Sequence, residues 1–267
     1  MNRNITYKKA NIEFSESGQG NAIVLLHGYI ESLNVWEDFS EKLLEQNYKV
    51  ISIDLPGHGN SEVIDEVHTM KMMADVVNKV LEELNIEKCV MIGHSMGGYV
   101  TMEFVKNFKN KIQGFCLFNS VPFSDSDEKK TIRDRLVNSI EQGKKMLLAK
   151  EHVEKTFATI NKDKFVLEKG FLKIIAINTS DKGTIAALKG MKLRKDFMET
   201  FENTELPVLW VLGRKDNFIS PDIIKQITIS DKIDIVFLEK SGHQGFIEEK
   251  EKSFDIINNF AKKCYQT

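Results

Sequence analysis

The chain is poor in the features that mark specialised architectures. Its 267 residues hold three cysteines, Cys89, Cys116 and Cys264, an odd number without metal-ligand spacing. Neither C-x-x-C nor H-E-x-x-H occurs, so no metal and no organic cofactor is implied. Cys89 and Cys116 sit in apolar runs, where a thiol serves as a small apolar side chain. No segment approaches the ~18 apolar residues of a membrane span, and Met1–Lys9 lacks the apolar stretch of a secretory signal. The expectation is a cytoplasmic protein with no membrane partner. With Lys and Arg at 37 against Asp and Glu at 39, the net charge is −2, which offers no surface for a nucleic acid. Repeats and low-complexity stretches are missing too. The 42% hydrophobic and 28% charged usage is that of an ordinary globular chain, long enough for one α/β domain with room for an insertion.

What is present is a rhythm of strands and helices. Residues 4–9 and 11–16 read as an opening hairpin, and short apolar strands follow at 22–26, 50–53, 89–92, 112–118, 208–212 and 233–238. Between them, 32–46 carries Leu33, Trp36, Phe39, Leu43 and Leu44 at helical spacing, and 69–84 carries Met73, Val76, Val77, Val80, Leu81 and Leu84 on one face. The cluster Met70, Met72 and Met73 is core filler in such a helix rather than a soft-metal site. Helices are also expected at 95–107 and 246–263. Alternation of this kind predicts a mostly parallel, eight-stranded sheet covered on both faces.

Chemistry enters at Gly93-His94-Ser95-Met96-Gly97, a G-x-S-x-G directly after the strand 89–92 and directly before a helix. A serine at a sharp strand-to-helix turn needs neighbours almost without side chains, and Gly93, Gly97 and Gly98 meet that need. Chance alone would place the pentapeptide in roughly one chain of this length in ten, so its partners must make it specific. They lie downstream in the order acid, then histidine. Strand 208–212 ends in Gly213-Arg214-Lys215-Asp216, and strand 233–238 is followed by Ser241-Gly242-His243. A serine hydroxyl is a weak nucleophile at neutral pH and needs a base; His243 is that base, and Asp216 fixes its tautomer. His94 adjoins Ser95, but neighbouring side chains at such a turn diverge. Asp125 and Asp127, just beyond strand 112–118, are rivals to Asp216 as the acid.

Two further strand ends complete the pattern: His27-Gly28-Tyr29-Ile30 after 22–26, and Asp54-Leu55-Pro56-Gly57-His58-Gly59-Asn60-Ser61 after 50–53. With H-G-x, D-x-x-G-x-G-x-S and G-x-S-x-G-G in this order, the chain resembles the α/β-hydrolase superfamily, in particular its single-domain, capped, serine esterase-like members. The match spans 20–120 and 205–265. The resemblance implies a core of residues 1–120 and 204–267, with a helical cap inserted at 121–203 after the sixth strand. It also implies an oxyanion hole from the backbone N–H groups of Tyr29 and Met96. Phe123, Phe157, Phe171 and Phe218 are candidates to line the substrate pocket. The expected activity is hydrolysis of a small-to-medium carboxylic ester or thioester through an acyl-enzyme, with a small-molecule substrate as partner. Two alternatives stay open: a carbon–carbon bond hydrolase or lyase using the same triad, and a ligand-binding, receptor-like module with little turnover.

Overall fold

The computed structural model describes residues 2–226 and 231–266. Among them, eight strands form one sheet: β1 (Asn2–Tyr7), β2 (Ala10–Ser17), β3 (Ala22–Leu26), β4 (Lys49–Ile53), β5 (Cys89–His94), β6 (Ile112–Phe118), β7 (Val208–Gly213) and β8 (Ile233–Leu238). Their spatial order is β1-β2-β4-β3-β5-β6-β7-β8. The opening hairpin turns on Lys8 and Lys9, both at positive φ (47° and 71°), the backbone twist a two-residue loop requires. β2 meets β4 antiparallel, and from β4 onward every pairing is parallel. The inner parallel strands include fully buried apolar runs such as Ala22–Leu26 and Val208–Gly213, as a sheet covered on both faces demands, while the edge strand β8 is half-buried.

Helices α2 (Met70–Glu83) and α3 (Met96–Phe108) cover one face, and α1 (Glu37–Leu44), α9 (Gly245–Glu248) and α10 (Lys250–Gln266) the other. α2 starts where predicted: Thr69 caps it, its hydroxyl accepting from Met72 N–H at 3.1 Å, and Met70, Met73, Val76, Val77, Val80 and Leu81 face the core. The helix expected over 32–46 is interrupted. Leu33–Trp36 is a 3-10 turn because Leu33 N–H is drawn to Asp54 Oδ1 at 2.7 Å, and the regular helix begins only at Glu37.

The segment between β6 and β7 is helical throughout its regular parts: α4 (Asp127–Glu141), α5 (Lys145–Thr156), α6 (Val166–Asn178), α7 (Asp181–Lys192) and α8 (Met198–Glu202). α4 packs on α7 and α5 on α6. Small residues let α7 touch the core: a Cβ on Gly183 would come within 2.1 Å of the Gly57 carbonyl oxygen, and one on Gly190 within 1.7 Å of that of His68. The closing helix is split at Glu249 into α9 (Gly245–Glu248) and α10 (Lys250–Gln266). Among the described residues, no helix is long and apolar enough to cross a membrane.

The register sets the rim. Leu26 pairs with Gly93, His94 with Phe118 and Gly213 with Leu238, so the loops after β3, β5, β6, β7 and β8 open at one edge. Strand order reverses between β3 and β5, and ligands of open α/β sheets bind in the crevice at such a point.

Candidate active site

β5 delivers Ser95 into that crevice at φ 50°, ψ −113°, a region that L-residues avoid and that costs on the order of 1–3 kcal/mol. The turn is held by Ser95 N–H to Phe118 O at 3.0 Å and by the Ser120 hydroxyl donating to Ser95 O at 2.7 Å. Its glycines are required: a Cβ on Gly93 would lie 2.4 Å from Thr101 Oγ1, and one on Gly97 2.4 Å from Leu26 O.

His243, from the loop after β8, brings Nε2 to 2.8 Å from Ser95 Oγ and Nδ1 to 2.7 Å from Asp216 Oδ2. With Nδ1–H donating to the carboxylate, Nε2 is left to accept from the serine hydroxyl. Asp216 is held rigidly: Phe218 N–H (2.7 Å) and Ile219 N–H (3.1 Å) donate to Oδ1, and Asn119 Nδ2 (2.9 Å) to Oδ2. Burial alone would push its carboxyl up; His243 and these donors overrule burial and hold it below the usual carboxylate value. The rival acids go elsewhere. Asp125 is buried between Arg133 and Arg194, 2.6 Å from the latter, and Asp127 opens α4 with an exposed ion pair to Lys130.

The loop after β3 supplies the facing wall. Gly28 O lies 2.7 Å from His27 Nδ1, while His27 Nε2 accepts from Leu55 N–H at 2.9 Å, which fixes this histidine as the neutral Nδ1–H tautomer. Clamping that carbonyl orients the N–H of Tyr29 on the opposite side of the same peptide. Among the described residues, neither Tyr29 N–H nor Met96 N–H has a hydrogen-bond partner. The following Ile30 stands at φ 52°, unusual for a β-branched residue.

The expected pocket aromatics separate. Phe218 touches His243, with ring centroids 5.1 Å apart. Phe157 is buried inside the helical insertion, stacked on Phe165 at 5.9 Å. Phe123 borders Tyr99, Val121, Phe197 and Arg194 beside α3. Phe171 is 42% exposed and lines an outer groove with Leu167, Phe39 and Phe246, a groove that no residue of the Ser95, His243 and Asp216 set borders. A helical stripe cannot tell which of its sides meets the crevice, and α6 turns Phe171 outward.

Nearer Tyr29 lies a small apolar space of about 30 Å³, walled by Leu136, Ile140, Leu148, Ala149 and Ala176. His152 of α5 stands at its edge, 5.6 Å from the Tyr29 ring and 5.2 Å from Phe218. Burial first, then the neighbouring His243 imidazole, push its imidazole down to about 4, so it is neutral near pH 7. His152 and Asn119 escape sequence reasoning, although Asn119 directly follows strand β6 and so sits on the same rim.

With this geometry in hand, known proteins give a consistent answer. A family model for the alpha/beta hydrolase fold matches residues 21–250, and the chain belongs to that family. It is 26% identical over 272 residues to the AB hydrolase superfamily protein YisY of Bacillus subtilis, covering 96% of this chain and 97% of that protein. A thermophilic esterase from Thermogutta terrifontis superposes with a TM-score of 0.91 at 25% identity, over 99% of each chain. A shorter stretch, 110 residues at 33% identity and 39% of this chain, is similar to 38% of an Escherichia coli 2-hydroxy-6-oxononadienedioate/2-hydroxy-6-oxononatrienedioate hydrolase. Family and neighbours support a hydrolase acting on a small molecule.

Proposed function

We propose that this protein hydrolyses small-to-medium carboxylic esters or thioesters through an acyl-enzyme on Ser95. The observation that carries the reading is the continuous line from Ser95 Oγ to His243 Nε2 (2.8 Å) and from Nδ1 to Asp216 (2.7 Å), starting at a strained elbow. In this reading Ser95 Oγ attacks the ester carbonyl as its proton passes to His243 Nε2. The oxyanion that forms is received by Tyr29 and Met96 N–H, and the imidazolium then protonates the departing alkoxide or thiolate. Water, deprotonated by the same nitrogen, releases the acid. Asp216 stays ionised and stabilises the imidazolium. The chemistry needs no metal or cofactor.

The helices over the rim act as a cap, and the apolar space beside Tyr29 takes the acyl or alcohol portion; at about 30 Å³ it holds little more than a group the size of a water or a methyl, so the helices around it part to seat a longer chain. The partial likeness to the Escherichia coli hydrolase supports a second reading, carbon–carbon cleavage by the same residues. A panel of esters of graded acyl length, thioesters and conjugated diketones decides between them. Turnover of short esters with Ser95 trapped by a fluorophosphonate supports the first; rapid diketone cleavage with negligible ester turnover overturns it. Trapping of Ser95 without turnover of any member would point instead to a binding module.

A further inference from the structure

One charged pair lies under the rim, outside the proposed triad, and touches both halves of the site. Glu31 and His94 are buried, at 6% and 0% exposure. The Glu31 carboxylate accepts from Gly28 N–H at 2.7 Å and His94 Nδ1 at 3.0 Å on Oε2, and from Gln244 Nε2 at 2.7 Å on Oε1. On its other side, His94 Nε2 lies 2.9 Å from the His243 carbonyl oxygen. A carbonyl only accepts, so Nε2 carries a proton; a carboxylate serving two other donors calls for a proton on Nδ1 as well. Burial alone would lower the His94 imidazole, but Glu31 outweighs it and raises the value. Burial would likewise raise Glu31, and His94, Gln244 and Gly28 N–H hold it down to about 2. The other titratable groups that act on His94 or His27 here are Asp216, His243 and Asp54, and none of them displaces the Glu31 contact.

We propose that Glu31 and His94 form a buried carboxylate–imidazolium brace that locks the His243 loop to the Gly28–Tyr29 loop and so positions base and oxyanion donor relative to Ser95. The inference rests on the hydrolase reading of Ser95. The His243 backbone is held at two points, its N–H by Thr156 O at 2.6 Å and its carbonyl by His94. The Gly28–Tyr29 peptide is likewise held at its carbonyl by His27, one residue from the N–H that Glu31 clamps. Charge-assisted bonds are short and directional, and buried ion pairs serve geometry better than net stability. Glu31 and His94 are therefore positioning residues, acting through His243 and Tyr29.

The test is Glu31→Gln in histidine-15N-labelled protein, beside the wild type. The expected wild-type signal at pH 7 is His94 protonated at both nitrogens; in Glu31→Gln one nitrogen loses its proton. Ester turnover should drop about 100-fold in kcat with KM within about threefold, and Glu31→Asp, which keeps the charge, should recover part of it. Fluorophosphonate labelling of Ser95 should slow in parallel, so a protein that labels Ser95 but hydrolyses no ester defeats the ester reading and leaves the brace decided by labelling rate and NMR. If Glu31→Gln does not fold, His94→Gln, which keeps a donor toward His243 and loses the charge, is read in the same way. A neutral His94 in the wild type, or unchanged kcat and labelling rates in a folded variant, overturns the brace.

Discussion

The rim of the sheet and the helices above it are built on opposite terms. At the rim, the side chains of Asp216, His243, Glu31 and His94 are buried and joined in histidine–carboxylate pairs, with backbone N–H groups donating to both carboxylates. In the insertion, Leu167, Val166, Ile174 and Leu147 expose most of their side chains, with Leu167 at 85%, and many of its ion pairs are surface ones such as Lys192–Asp134. Rigid placement belongs where atoms must meet within tenths of an ångström, a demand the outer faces of these helices do not meet. The two regions join where α5 ends: Thr156 O accepts from His243 N–H, and a Cβ on Gly242 would stand 2.5 Å from Ala158 N. The proposed cap therefore rests directly on the loop of the proposed base.

The largest expected effect breaks the rim at its centre. Ser95→Ala should lower kcat by about 10⁶-fold with an unchanged melting temperature, since the hydroxyl is the proposed nucleophile and its removal leaves the elbow backbone intact. Activity retained at more than a small percentage in purified variant would remove Ser95 from the chemistry. Next comes a direct contrast of the two regions. Asp216→Asn should cost about 10⁴-fold in turnover, because an amide cannot hold the His243 tautomer. Asp125→Asn should leave turnover nearly intact and cost about 3–5 kcal/mol of stability, because it breaks the buried pairing to Arg133 and Arg194. Reversed outcomes would move the acid to the end of β6.

A third expectation concerns acid. Glu31 has its value depressed to about 2 from an ordinary 4.5, so its contribution to stability is complete above 4.5 and is lost as pH falls toward 2. His94 shifts the other way: its raised value stabilises below 6.5 and that contribution fades as pH rises through the folded value. Denaturant midpoints taken from about pH 5 to pH 3 should therefore fall more steeply for wild type than for a Glu31→Gln, His94→Gln double variant, which carries neither titrating group. Equal slopes would mean that the carboxylate is not held ionised by the fold.

The strand ends were legible because each carries its own local signal: an apolar run, then glycine or a turn, then a polar residue. Ser95, Asp216 and His243 stand where those signals end, and the sheet's register brings the three strand ends to one edge. Glu31 was not legible. A glutamate in a loop reads as solvated, and its partners His94 and Gln244 come from positions 63 and 213 residues away. The start of α1 was misplaced because Asp54, in the loop just after β4, captures Leu33 N–H. In the insertion, a helical period fixes only that a face is apolar. Which face meets the crevice depends on how α4 packs on α7 and α5 on α6, and no residue spacing records that.

The smallest effects sharpen the comparison inside the insertion itself, between its inner and outer apolar surfaces. If the space beside Tyr29 takes the acyl chain, each added methylene contributes about 0.8 kcal/mol, so kcat/KM should rise about three- to fourfold per carbon until the space is full, then fall. Leu148 walls that space, and Leu148→Ala should move the optimum to a longer chain while acetate esters, which scarcely reach it, change little. Phe171 lies in the outer groove beside Leu167 and Phe246, so Phe171→Ala should leave the whole acyl-length profile within about twofold of wild type. Initial rates across a series of acyl esters for the three proteins read the difference. A profile flattened by Phe171→Ala and untouched by Leu148→Ala would transfer substrate binding to the outer groove, and would require α6 to swing toward Ser95 before the chain could react.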